Sequence, residues 1–205
     1  MDTASFDTIL FDLGAVLIDW NPRYLYRPIF NGDEKAMEHF LSEIVPGSWN
    51  HDIDAGKSFD QAVAERIAVH PDHADKIALW RDGWEKMLRD EIAGSVEILG
   101  ELRGKGHRLH ALTNWSAETF PIARRRFEFL QWFENIVVSG EVGLAKPDPR
   151  IFALTIARCR LNPARTVFID DSLRNVEAGR NAGMQALHFS DPQQLRADLN
   201  RLGML

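Results

Sequence analysis

Five short apolar runs punctuate an otherwise amphipathic chain, at residues 8–13, 108–113, 135–139, 166–171 and 184–189. Each is rich in Ile, Val, Leu or Phe, and most end at a polar residue followed by a turn or helix signal. Runs this short and this apolar read as strands buried on both faces. Stretches with helical period separate the last four. Residues 95–105 place Val96, Leu99 and Leu102 on one face, and Gly104 and Gly106 stop them. Residues 149–160 repeat Ile151, Leu154, Ile156 and Ala157, while residues 172–182 open with capping chemistry and end at Gly183. Asp191-Pro192 opens a final helix towards Leu202, with Pro at the first helical position. Strands alternating with helices predict an α/β, Rossmann-like fold with a parallel sheet covered on both faces. Ligands of such sheets sit beyond the carboxyl ends of the strands.

Residues 17–90 break the alternation. No strand is evident there, and helical patterns recur at 23–30, 34–44, 58–70 and 73–88. The expectation is a small all-helical cap, residues 17–90, inserted after the first strand of a core formed by residues 1–16 and 91–205. Trp80 and Trp84, one helical turn apart, read as core of that cap.

Composition narrows the partners. The 205 residues are 45% hydrophobic and 26% charged, which excludes a disordered chain. Thirty acidic against 24 basic residues leave a formal charge of −6, which argues against a nucleic-acid partner. The one basic cluster, Arg124-Arg125-Arg126, reads as a solvated helix face. No run approaches the length of a membrane span, and residues 1–5 carry neither basic nor apolar leader character, so a cytoplasmic protein without a membrane partner is expected. Cys159 is the single cysteine; no disulfide can form within the chain, and a buried thiol is expected. His70, His73, His107 and His110 show no zinc spacing and read as structural or exposed. The oligomeric state is left open.

The strand ends carry the chemistry. The first run ends Phe11-Asp12-Leu13-Gly14, and the second ends Leu112-Thr113-Asn114. Lys146 follows the third in a Pro-rich loop, Lys146-Pro147-Asp148-Pro149, and the fourth ends Asp170-Asp171 before Ser172. Three carboxylates on one sheet edge repel unless a cation sits among them, and an oxygen-only donor set suits Mg²⁺. With a lysine, a hydroxyl and helix N-termini nearby, these residues describe a phosphoryl site and a small phosphorylated substrate.

The four motifs, Phe11-Asp-Leu-Gly-Ala-Val-Leu17, Leu112-Thr-Asn114, Lys146-Pro-Asp-Pro149 and Phe168-Ile-Asp-Asp-Ser-Leu-Arg-Asn175, run the length of the core, and the chain resembles the haloacid dehalogenase (HAD) superfamily. The resemblance implies that Asp12 is a nucleophile forming an aspartyl-phosphate. It implies that Thr113 and the Asn114 amide hold phosphate oxygens and that Lys146 offsets charge. It also implies that Mg²⁺ is held by Asp12, the Gly14 carbonyl, Asp170 and Asp171, with Asp171 favoured as the direct carboxylate of the pair. Asn175 is expected to orient the loop or Lys146. Leu13, Gly14, Thr113 and Asn114 are the expected substrate contacts at the strand ends. Asp19, Trp20, Trp115 and the segment 46–54, expected as a substrate-contacting loop with Trp49, are candidate contacts at the entrance. Arg23 and Arg27, one helical turn apart, read as a solvent-exposed pair rather than an anion clamp.

One position departs from the pattern. The superfamily's phosphatases usually carry Asp two residues after the nucleophile, as general acid and base; here it is Gly14. Three readings follow. A phosphohydrolase with a weakened or relocated acid would favour a good leaving group, such as a sugar 1-phosphate. A 2-haloacid dehalogenase would use Asp12 on carbon without metal, although Asp170 and Asp171 would repel its substrate's carboxylate. A non-catalytic HAD-fold or receiver-like signalling module would only carry the phosphoryl group.

Overall fold

The computed structural model describes residues 6–205; residues 1–5, on which the reading of the amino terminus rests, lie outside the described residues. The described residues form seven strands: β1 Thr8–Phe11, β2 Ile18–Trp20, β3 Leu88–Glu91, β4 Arg108–Thr113, β5 Asn135–Val138, β6 Thr166–Asp170 and β7 Gln185–His188. Five make one sheet in the order β5-β4-β1-β6-β7, and every pairing in it is parallel. All residues of β1 and β6 are buried, as expected of strands with helices on both faces. The chain winds outward from central β1 through β4 and β5, crosses back, and winds outward through β6 and β7. The carboxyl ends of β1, β4 and β6 therefore open a crevice at the middle of the sheet.

The core helices follow the sequence reading within a residue or two: Ala93–Gly104, Pro149–Cys159, Leu173–Asn181 and Pro192–Arg201. Their starts are chemically specified. Asp148 accepts from Arg150 N at 2.8 Å, and Asp191 accepts from Gln193 N and Gln194 N at 2.9 Å each. Phe120–Arg126 adds a further helix after β4.

Between β1 and Ala93–Gly104 lies the helical cap: Arg23–Ile29, Glu34–His39, Gly47–Asp54, Phe59–Val69 and Ala74–Asp82. Two details correct the sequence reading. The region contains strands, because β2 and β3 pair antiparallel, Ile18 with Glu91 and Trp20 with Leu88, and join the cap to the sheet as a two-stranded ribbon. A three-residue strand is too short to show a period. Residues 46–54, expected as a loop, are a helix from Gly47.

The cap is not packed separately. One apolar cluster runs from Phe11, Ile9 and Ile169 in the sheet to Tyr26, Phe40 and Trp80 in the cap. Arg126, read as part of a solvated face, donates from Nη1 to Leu88 O at 2.9 Å and pairs with Asp90, so it ties the core to the ribbon. Cys159 is buried and unpaired. Among the described residues, no helix is long and apolar enough to cross a membrane.

Candidate active site

β1 delivers Asp12 to the crevice, β4 delivers Thr113, and β6 delivers Asp170. Lys146 stands between them. Its Nζ lies 2.9 Å from Asp12 Oδ1, 2.7 Å from Asp170 Oδ2 and 2.9 Å from Leu112 O, and the residue is 1% exposed. A buried ammonium is tolerated only when its donors are engaged, and here three are. Burial alone lowers the Lys146 pKa, but Asp12 and Asp170 raise it further, so the side chain is held as a cation. Asn114 fixes the lysine's backbone from both sides. Its Oδ1 accepts from Lys146 N at 2.8 Å, and its Nδ2 donates to Lys146 O at 2.9 Å.

The acidic pair divides its work. Asp170 Oδ2 faces Lys146, and Oδ1 accepts from Ser172 N and Asn175 Nδ2, each at 2.9 Å. Asn175 thus acts on Lys146 through Asp170. Asp171 is exposed and faces the crevice instead.

One carboxylate oxygen from each of Asp12, Asp170 and Asp171 lies within 4.8 Å of the other two. Burial pushes the Asp12 pKa up, Lys146 offsets part of this, and the charges of Asp170 and Asp171 add to it. Asp171, open to solvent on its outer side, is raised by the partial desolvation of the crevice and by the charge of Asp170. A divalent cation would relieve that repulsion, and an all-oxygen donor set suits a hard ion such as Mg²⁺, Mn²⁺ or Ca²⁺. Among the described residues, Thr113 Oγ1 is buried with no hydrogen-bond partner, an orphan hydroxyl at the carboxyl end of β4.

A cavity of about 240 Å³ opens above these groups. Its floor is Asp12, Gly14, Ala15, Asn114, Asp171 and Asn175, and its walls are Trp20, Trp84, Trp115, Asn50 and Asp54. Trp20 and Trp115 are where the sequence put them. Trp115 Nε1 is spent on Thr119 Oγ1, whereas Trp20 Nε1 is buried without a partner among the described residues.

Several expected contacts lie elsewhere. Trp49 does not face the cavity. Its indole is buried between cap helices, donates to Ala62 O at 3.3 Å and meets Trp80 edge-on at 5.4 Å. Leu13 has a fully buried side chain, and its amide donates to Asp12 Oδ1 at 2.7 Å, so it orients the acid. Asp19 accepts from Tyr24 Oη, away from the cavity. Arg23 and Arg27 lie at the surface as expected, paired with Glu38 and Glu34. Trp84, expected as core, is a cavity wall instead. The expected contact segment 46–54 does reach the cavity, through Asn50 and Asp54, one helical turn apart, rather than through Trp49.

A family model described as haloacid dehalogenase-like hydrolase matches residues 6–183. The chain belongs to that family. It is 26% identical to a sesquiterpene phosphatase of Aspergillus oryzae over 97% of each chain. It is 24% identical to a phosphorylated carbohydrates phosphatase of Thermotoga maritima, over 89% of this chain and 84% of the other. Among solved structures, a HAD family enzyme of Bacteroides thetaiotaomicron in complex with magnesium and inorganic phosphate superimposes with a TM-score of 0.68. That match spans 91% of this chain and 96% of the other at 21% identity, and it establishes the shared fold.

Proposed function

We propose that this HAD-family hydrolase is a Mg²⁺-dependent phosphohydrolase acting on a small phosphorylated metabolite through an aspartyl-phosphate on Asp12. The observation that carries the reading is the three-acid cluster around a fully engaged Lys146. Asp12, Asp171 and the Gly14 carbonyl would hold Mg²⁺, with Asp170 bracing the set from beneath. The ion would supply positive charge to the phosphoryl oxygens.

Asp12 attacks phosphorus in line, and water then cleaves the acyl-phosphate. Lys146 opposes the rise that burial gives the Asp12 pKa and balances charge as the phosphoryl group arrives. Thr113 Oγ1 and the Asn114 amide take phosphoryl oxygens, which gives the orphan hydroxyl its partner. Trp20, Trp84 and Trp115 offer flat apolar faces that suit a ring, such as that of a sugar 1-phosphate, and Trp20 Nε1 offers a donor at its rim. Residues 17–90 act as the cap, shielding the acyl-phosphate from stray water.

Hydrolysis of a panel of phosphate monoesters and 2-haloacids, with Mg²⁺ or EDTA and with Asp12→Asn as the blank, tests this reading. Phosphate release that needs both Mg²⁺ and Asp12 is expected. Halide release in EDTA would instead make the protein a dehalogenase. Activity that survives in Asp12→Asn would remove the proposed nucleophile.

A further inference from the structure

Gly14 leaves the site without the carboxyl that usually moves protons. Space is not the reason. A Cβ built on Gly14 would meet nothing within 4 Å, and its backbone is not left-handed. The open volume above Gly14 belongs to the cavity, and a carboxyl reaches that cavity from the opposite side. Asp54 ends the helix Gly47–Asp54 and lines the same cavity as Asp12, Gly14 and Asp171.

Resting on the phosphohydrolase reading above, we propose that Asp54, carried by the cap, is the general acid and base of this site and takes the place of the side chain that Gly14 lacks. In-line attack by Asp12 puts the leaving oxygen on the far side of phosphorus, towards the cap. Asp54 comes from that direction.

Two features hold the carboxyl in place. Asn50 Nδ2 donates to Asp54 Oδ2 at 2.9 Å, while Asn50 Oδ1 accepts from Trp80 Nε1 at 3.0 Å, so the amide cannot turn over. Ser139 Oγ, at the end of β5, donates to Asp54 O at 2.5 Å, which pins the end of the cap helix to the core. Asp54 forms no ion pair among the described residues. Burial pushes its pKa to about 7, with Lys146 and the backbone of Ser116 opposing the rise. A carboxyl of that pKa exchanges a proton readily at neutral pH. The other charged groups around it are accounted for. Asp12 and Asp171 share the cavity, Glu118 is turned to the Phe59 amide, Asp52 is exposed beside Lys57, and Glu141 lines a separate surface hollow.

The proton bookkeeping closes over one turnover. As the bond from Asp12 to phosphorus forms, the bond from phosphorus to the leaving oxygen breaks, and protonated Asp54 gives its proton to that oxygen. The product alcohol leaves. Water then attacks phosphorus, Asp54 carboxylate takes the proton, and the bond to Asp12 breaks. This yields phosphate, ionised Asp12 and protonated Asp54. A protein with such an acid is not confined to good leaving groups, which revises the expectation drawn from Gly14 alone.

The test compares an alkyl phosphate with an aryl phosphate in the full-length protein with Mg²⁺. Asp54→Asn is expected to lower kcat/KM for the alkyl ester by about 10²- to 10⁴-fold. The aryl ester should form phosphoenzyme with a much smaller loss, and the phosphoenzyme should accumulate as a burst. The basic limb of the alkyl pH–rate profile, near pH 7, should vanish. Asp54→Glu should retain more alkyl activity than Asp54→Asn, and the double variant Asp54→Asn with Gly14→Asp should recover part of what Asp54→Asn lost. Melting curves check that each variant is folded, and Asp54→Glu carries the pH readout if Asp54→Asn is not. Equal losses on both esters with an unchanged pH profile would make Asp54 a binding residue and overturn the proposal, as would full activity in Asp54→Asn. A wild-type protein inactive on both esters would sink the phosphohydrolase reading itself.

Discussion

At the scale of single residues, the site is organised by one buried cation. Lys146 touches Asp12, Asp170 and a carbonyl, and Asn114 locks its backbone. Lys146→Met would strand two buried carboxylates, and breaking such a pair costs about 3–5 kcal/mol. Denaturant unfolding should register that loss alongside loss of turnover, while a stability unchanged within error would mean that the acids do not depend on the lysine. Asp54 has the opposite character. Its folded pKa lies above the unfolded value, so the folded state holds the proton longer, and the stability this contributes at low pH is lost as pH rises from about 4 to about 7. With a discount for the solvent that reaches the group, the penalty at pH 8 is on the order of 1–2 kcal/mol. Asp54→Asn should therefore melt higher than wild type at pH 8, with the gap narrowing towards pH 5. A gap independent of pH would contradict the assigned protonation.

At the scale of elements, the strand ends were legible because apolar runs that stop at an acid, a threonine or a lysine are unusual. A buried carboxylate is costly unless something answers its charge. The four motifs stand at the strand ends as expected: Asp12 just after β1, Thr113 at the end of β4, Lys146 in the loop beyond β5 and Asp170 at the end of β6. The cap was less legible. Trp49 and Trp84 are chemically alike, and only the rotation of their helices decides that one packs inward against Trp80 while the other faces the cavity. The β2–β3 ribbon is a long-range pairing of short segments, which local pattern cannot report. Ser139, unremarkable in sequence, links three elements by accepting from Trp115 N at 2.8 Å and donating to Asp54 O. Ser139→Ala leaves the buried Trp115 amide unpaired, a cost of about 1–3 kcal/mol, and frees the end of the cap helix. A lower melting temperature together with a raised KM is expected. A lower melting temperature with unchanged KM would show that the hydroxyl serves stability alone.

At the scale of the whole molecule, the cap and sheet share one apolar cluster, and the polar site lies at their seam. The formal charge of −6 is uneven in its effect, since three of the acids are drawn together within 4.8 Å. Mg²⁺ binding there should raise the melting temperature with concentration, because a ligand that binds only the folded state stabilises it. Asp171→Asn should weaken that response, and an identical response in the variant would place the ion elsewhere. The central claim is the covalent step at Asp12. Rapid quenching of the protein with Mg²⁺ and an aryl phosphate, followed by mass spectrometry of the peptide containing residues 8–13, tests it most directly. A phosphoryl group on Asp12 that appears within one turnover, decays on chasing and is absent from Asp12→Asn is the predicted result. Steady phosphate release with no label on Asp12, or a label on another residue, would contradict it.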